Sequence, residues 1–445
     1  MDGIELAAEK KQGFVKHDTQ PNLDHDAYCE NKTEINEYVI EDFLGDDPRS
    51  LAICSQPWYY GDLLAWSLQN TLRQEEWEIC NIRGYHHSKP IYDDIKISNE
   101  DKVNCLIEGQ LLVEKDGIQI LLTLDSMSNE TNRLQAEASE SHQAYVNELI
   151  KVVNRYLAEN NIYRGKRINL GNKGIAFLET DERSWETVIL EPEVKKEIRL
   201  NTVEFLNKLK TWQKFGIPSK RGIILAGAPG TGKTIVCKAL ATEGKDITCL
   251  FADPCCMQND GFFGYLYKIA RDLNPCIIFI EDIDLIGQER FGEYHNSPSL
   301  ISLLNEMDGL VNIDGIVTVA TTNGLETLDK ALSERPSRFD RIIKITYPTD
   351  ESRMALIERL SQDIPLTVEI KDYIVQKTQG FSPAQIQETL FSLVINGIDN
   401  SDINATLGMT VDGIDSAVGV LKTRKPTKAL GFQTIRHHCH AQVEQ

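Results

Sequence analysis

No two of the ten cysteines stand in a CxxC pair; they lie at 29, 54, 80, 105, 237, 249, 255, 256, 276 and 439. That scatter excludes a zinc ribbon and a disulfide framework, and it fits thiols kept reduced. No apolar run approaches the ~20 residues that a membrane-spanning helix needs. The opening stretch, MDGIELAAEKKQ, lacks the apolar centre of a signal peptide. A cytoplasmic location without membrane insertion is therefore expected. Positive charge is also short: 47 Lys and Arg face 67 Asp and Glu, a net charge of -20. This favours solubility and argues against a nucleic-acid partner, whose footprint is a basic surface. What remains is an ordinary globular composition over 445 residues, enough for two or three domains.

Residues 1–45 are polar and acidic with little periodicity, which reads as a loosely ordered arm. Residues 46–182 read as a separate N-terminal α/β domain that would recognise a client or partner. Within it the spacing of GDLLAWSLQNTL predicts a helix, and a longer helix is expected over about 135–158. EWEICNI, NCLIEGQLLVEK and GIQILLTLD read as strands, the last two joined at Lys115-Asp116-Gly117; KRINLG and GIAFLET follow as two more. No chemical motif appears there. The adjacent His86 and His87 read as exposed side chains, not as a metal pair.

From residue 183 the character changes. RGIILAG, ITCLFA, CIIFI, GIVTVA and RIIKITY are short apolar strands separated by helical segments, as in a parallel sheet covered on both faces. Residues 348–424 read as a small helical domain and 425–445 as a polar tail. The tail holds His437, His438, Cys439 and His440, but adjacent ligands of this kind rarely build a closed tetrahedral site.

GAPGTGKT follows the first of these strands and opens a helix, matching G-x-x-x-x-G-K-[ST] in full. The motif comprises Gly227, Ala228, Pro229, Gly230, Thr231, Gly232, Lys233 and Thr234. Glycines let the backbone wrap a phosphate chain with its N–H groups turned inward. Lys233 supplies a cation for the outer phosphates, Thr234 a hydroxyl for Mg²⁺, and the helix its positive end. CIIFIEDIDLIG then makes sense. Carboxylates at the rim of a core are costly unless something positive meets them. Here Glu281, Asp282 and Asp284 would meet the metal shell and the attacking water. ATTN ends the fourth strand and brings Asn323 to the same place. ERPSRFDR carries Arg335 and Arg338, better placed to reach a neighbour's phosphates than their own.

In this order and spacing, GAPGTGKT, IIFIEDID, LLNEMDGL, VATTN and RPSRFDR resemble the AAA family of ATPases, over roughly residues 185–424. WETVIL, the GIPSKRG lead-in and the EDID order look most similar to the branch of the mitochondrial Rieske-protein translocase and its soluble bacterial relatives. The resemblance implies an AAA+ P-loop NTPase fold: a five-stranded parallel sheet over 183–347 and a helical lid over 348–424. It implies ATP with Mg²⁺, Asn323 as sensor of the γ-phosphate, and Arg335 and Arg338 as arginine fingers delivered in trans. It implies a homo-oligomeric ring, usually a hexamer, with Asp308 near the interface. It also implies an adenine pocket lined by the backbone around Ile217 and Gly380.

Two features depart from the family pattern. The usual order is Asp then Glu, whereas here Glu281 takes the metal-side position and Asp282 the water-activating one. Neighbours on a strand point to opposite faces, so the two cannot simply trade roles. Asp is also shorter than Glu by about 1.3 Å, and a misplacement near 1 Å can cost about 100-fold. Either the backbone compensates or hydrolysis is slow. Second, the loop Met257-Gln258-Asn259-Asp260-Gly261 has no aromatic of the kind that grips an unfolded chain. Phe262 and Phe263 come just after and read as core of the next helix.

Two functions follow. One is an ATP-driven remodeller of an unknown protein client, chosen by residues 46–182. The other is an ATP-gated scaffold or switch with slow turnover. In either, Lys233→Ala should abolish or severely weaken nucleotide binding. Arg335→Ala should leave binding intact and remove turnover. Normal turnover by an assembled Arg335→Ala ring would disprove the trans-finger role.

Overall fold

The computed structural model describes residues 38–45, 47–84, 88–128, 130–179, 183–287, 298–309, 315–325, 338–364, 366–399 and 411–423. The arm before Tyr38, His86, His87, Arg335 and the histidines of the tail lie outside them.

The N-terminal part is an antiparallel sheet. Its strands are β1 (Arg49–Pro57), β2 (Glu78–Arg83), β3 (Ile91–Lys96), β4 (Lys102–Lys115), β5 (Ile118–Asp125) and β6 (Thr131–Ser139), in the order β1-β6-β5-β4-β2 with β3 also on β4. At the β4–β5 hairpin Asp116 and Gly117 both take positive φ, 52° and 77°, as a two-residue turn requires. Helices Gly61–Gln74 and Gln143–Glu159 bury Leu64, Leu68, Val146 and Val153 in one core with Leu122 and Leu134 of the sheet. The end of the stretch expected as a loosely ordered arm is instead a short helix, Tyr38–Leu44, which packs on Leu112 and Leu121 elsewhere on the sheet. The helix expected from about 135 starts at Gln143 instead. TNRLQAEAS has helix-forming residues, but its apolar positions alternate, and β1 and β5 pair with it on both sides. Pairing and period 2 override propensity here.

The second sheet has seven strands, not five. They are β7 (Arg167–Gly171), β8 (Gly174–Phe177), β9 (Lys220–Ala226), β10 (Thr248–Ala252), β11 (Cys276–Ile280), β12 (Ile316–Thr322) and β13 (Arg341–Lys344), in the order β13-β9-β12-β11-β10-β7-β8. The five expected strands are parallel neighbours. KRINLG and GIAFLET, expected in the N-terminal domain, join this sheet: β7 runs parallel to β10, and β8 returns antiparallel to β7. Ile168 and Leu170 are fully buried there. The apolar pattern marked the strands but carried no information on which sheet they would complete. Nor is the N-terminal part separate. One continuous apolar core runs from Leu64 and Tyr60 to Leu266 and Ile278. Tyr60 stacks on Tyr163 at 6.3 Å and donates its hydroxyl to Asp272 Oδ2 at 3.3 Å.

β11 shows why its sequence is apolar throughout. Ile278 and Ile280 face this shared core, while Ile277 and Phe279 face a second one with Ile223, Leu225, Val317 and Val319. Helices Asp350–Leu360, Val368–Lys377, Pro383–Asp399 and Val411–Thr423 follow, around Ile357, Ile374, Leu390 and Ile414. The Thr349 and Thr367 hydroxyls cap the first two by accepting from the N–H groups of Ser352 and Ile370.

Ile168→Ala should therefore destabilise the parallel sheet, by about 2–5 kcal/mol for a fully buried aliphatic side chain. Chemical denaturation followed by Trp fluorescence measures it; an unchanged midpoint would deny β7 its place in that core.

Candidate functional site

The loop after β9 is shaped by glycine. A Cβ on Gly227 would collide with the Ile345 carbonyl, and Gly230 and Gly232 take φ of 78° and 99°. Gly227 N–H donates to Thr322 O at 3.2 Å, which ties the loop to the end of β12. The helix Lys233–Glu243 starts directly after. Lys233, only 7% exposed, donates to Gly227 O at 2.7 Å, Ala228 O at 3.1 Å and Asn323 Oδ1 at 2.9 Å. Burial pushes its ammonium below the ordinary lysine pKa, and the charges of Asp282 and Asp284 partly offset that.

Thr234 Oγ1 donates to Glu281 Oε2 at 2.9 Å. Burial raises the Glu281 carboxyl above the usual range, and the Thr234 bond opposes the shift. β11 ends at Ile280, and Asp282 sits at φ 52°, in the left-handed region. Its N–H donates to Thr321 Oγ1 at 2.9 Å, and Ile283 N–H to Thr321 O at 2.9 Å. This corrects the expectation that the two carboxylates take opposite faces. Strand alternation does not reach them, because the chain has already turned. Glu281 addresses Thr234 while Asp282 lines the cleft beside Asn323, whose Nδ2 donates to Asp282 Oδ1 at 3.1 Å. Asn323 thus bridges the lysine and the aspartate. Asp284 accepts from Thr322 Oγ1 at 2.5 Å and from Asn323 N–H at 2.9 Å.

The cleft has a volume of about 600 Å³. Its polar side is the loop with Lys233, Thr234, Asp282 and Asn323; its apolar side is Val188, Ile189, Leu190, Leu356, Leu360 and Pro383. These residues fit a nucleotide with its metal. The glycine turns free backbone N–H groups for phosphates, the buried lysine matches their charge, and the Thr234–Glu281 pair is an oxygen donor set suited to Mg²⁺. The apolar wall suits a base.

Two expected residues lie elsewhere. Ile217 lines a different cavity, of about 440 Å³, with Phe205, Trp212, Arg221 and Arg341. The helical segments before β9 carry it away from the loop. Gly380, at φ 79°, is outside the cleft lining but turns the chain into the helix at Pro383, where Ala384 N–H donates to Gly230 O at 3.2 Å. The wall residues Val188–Leu190 were missed as site residues. WETVIL stood out in the sequence, but nothing in it showed that the segment folds over the loop, where Arg359 of the helix Asp350–Leu360 donates to the Thr187 carbonyl.

Arg338 is 8% exposed and donates to Asp308 of its own chain, from Nε to Oδ2 at 3.2 Å and from Nη2 to Oδ2 at 3.0 Å. Reaching a neighbour requires leaving that pair. Phe262 and Phe263 are core residues of the helix Phe262–Asp272, 6% and 1% exposed. The loop before them is held from the β7–β8 turn: Asn172 Oδ1 accepts from Cys256 Sγ at 3.2 Å and from Asn259 Nδ2 at 3.0 Å. Among the described residues no helix is long and apolar enough to cross a membrane.

Similarity to known proteins lies over the same region. The family described as "ATPase family associated with various cellular activities (AAA)" matches residues 223–347. ATP-dependent zinc metalloprotease FtsH 1 of Alkaliphilus metalliredigens is 34% identical over 210 residues, 44% of this chain and 35% of that protein. The FtsH of Cyanidium caldarium is 32% identical over 248 residues, 52% and 39%. FtsH 3 of Sorangium cellulosum is 37% identical over 212 residues, 44% and 35%. The chain thus spans little more than a third of the length of these relatives. They lend no support to the narrower likeness to the Rieske-protein translocase branch. The matched residues contain the loop, both carboxylates and Asn323, so residues 223–347 form an AAA ATPase domain, which uses ATP with Mg²⁺.

Proposed function

We propose that this protein hydrolyses ATP as a homo-oligomeric ring and uses the cycle to remodel a protein client bound by its N-terminal sheet. The observation that carries the hydrolytic part is the bridge from Lys233 through Asn323 to Asp282. It joins a phosphate-binding cation to a general base through one amide. Lys233 and the loop amides bind the phosphates. Thr234 and Glu281 would hold Mg²⁺, which supplies charge neutralisation when bound. Asp282 takes the proton of the attacking water at its carboxylate, and Asn323 orients that carboxylate. In this reading the left-handed turn at Asp282 is the backbone shift that would offset the shorter acid.

The ring, its hexameric size and trans delivery of Arg335 and Arg338 are parts of this proposal drawn from the family. The intrachain Arg338–Asp308 pair favours Arg335 as the finger and Arg338 as its anchor. A cytoplasmic location rests on composition alone. The 445 residues contain no H-E-x-x-H motif. The second reading, an ATP-gated scaffold, is favoured by the loop over 253–261. It has no gripping aromatic and is bonded to Asn172.

Steady-state hydrolysis by a ring confirmed by light scattering tests the first reading. Asp282→Asn should cut turnover by about 100-fold or more with ATP still bound. Unchanged turnover would move the base elsewhere, and none in the wild type with ATP bound would favour the scaffold. Arg338→Ala should lower the melting temperature of the isolated protomer if Arg338 is an anchor. Lost turnover with unchanged melting would make it a finger.

A further inference from the structure

The sequence groups Asp284 with Glu281 and Asp282 as acids that would meet the metal shell and the attacking water. In the structure it lies behind the cleft and does not line it. It opens the short helix Asp284–Gly287, and both its oxygens reach back to the end of β12. One accepts from the hydroxyl of Thr322, which is fully buried, and the other from the backbone N–H of Asn323. Thr322 Oγ1 accepts in turn from Gly324 N–H at 3.1 Å, which fixes the hydroxyl's direction.

The geometry points to Asp284 as the positioning residue of the sensor: by clamping Thr322 and the Asn323 amide, it holds the Asn323 side chain between Lys233 and Asp282. This rests on reading the cleft as a hydrolytic site. Asn323 is itself exposed, and among the described residues its side chain bonds to its two polar partners at the cleft. Without the clamp its backbone N–H loses its acceptor, and the side chain is no longer aimed by the backbone. A displacement near 1 Å at such a group costs about 100-fold. Asp284 touches neither phosphate-binding amides nor the Thr234–Glu281 pair, so nucleotide affinity should not follow. Its charge also favours the Lys233 ammonium. Replacement by asparagine separates the two effects, because the amide keeps an oxygen for Asn323 N–H and can donate to Thr322 Oγ1.

The test uses the full-length protein with Asp284→Ala, Asp284→Asn and Thr322→Val. Amide hydrogen exchange over 321–324 is read by mass spectrometry, beside kcat, KM and the affinity for a fluorescent ATP analogue. In Asp284→Ala, exchange over 321–324 should accelerate. Its kcat should fall about 100-fold, with KM and affinity within about threefold. Asp284→Asn should recover at least about tenfold of that loss. Thr322→Val should lose less, and combining it with Asp284→Ala should add nothing to the loss from Asp284→Ala alone.

Unchanged exchange in Asp284→Ala overturns the clamp, and so does affinity falling in step with turnover. An asparagine as poor as alanine would assign the effect to charge instead. The two near-isosteric variants keep the test open if Asp284→Ala fails to fold. A wild type without turnover would defeat the hydrolytic reading, while exchange and affinity would still decide the clamp.

Discussion

A buried lysine needs partners, and much of this fold is arranged to supply them. An unpaired ammonium taken out of water costs several kcal/mol or gives up its proton. Lys233 meets two carbonyls of its own loop and the amide of Asn323. That requires the end of β12 to lie beside the loop after β9, and the order β9-β12-β11 in the sheet places it there. The same order brings the end of β11, with its three carboxylates, to the other side of Asn323. Lys233, Asn323 and Asp282 come from segments far apart in the chain, yet they share one hydrogen-bonded seam.

That seam also fixes where Glu281 and Asp282 sit. In an extended strand, adjacent Glu and Asp would face apart, and only one could serve the cleft. Here the chain leaves the strand after Ile280. Asp282 adopts the left-handed conformation, which Asp tolerates better than most residues. Thr321 secures the turn by accepting from two successive N–H groups, through its hydroxyl and its carbonyl.

The N-terminal sheet is joined to this machinery by a common core, not by a linker. Tyr60 and Tyr59 lean on the helix Phe262–Asp272 through Asp272 and Tyr265. Tyr267 of that helix shares a hydrogen bond of 2.8 Å with Thr318 of β12, four residues before Thr322. Arg271 of the same helix donates to Glu306 at 3.0 Å, on the helix that also carries Asp308. Two hydrogen-bonded contacts thus lead from the N-terminal sheet towards β12 and the Arg338 pair.

The sequence by itself determined what depends on local pattern. The spacing of glycines around Lys233 dictates a phosphate loop. The apolar run before Glu281 dictates a strand buried on both faces. The Asp116-Gly117 turn, the C-terminal helices and the core role of Phe262 and Phe263 follow from short-range periodicity in the same way. Tertiary structure decided whatever depends on which segments meet. It sent β7 and β8 to the parallel sheet, because strand propensity carries no address. It folded Val188–Leu190 over the loop and left Ile217 in another cavity. It turned Asp282 out of the strand, paired Arg338 with Asp308, and set Asp284 behind Asn323. Each of these rests on contacts between residues distant in the chain, and no local pattern encodes them.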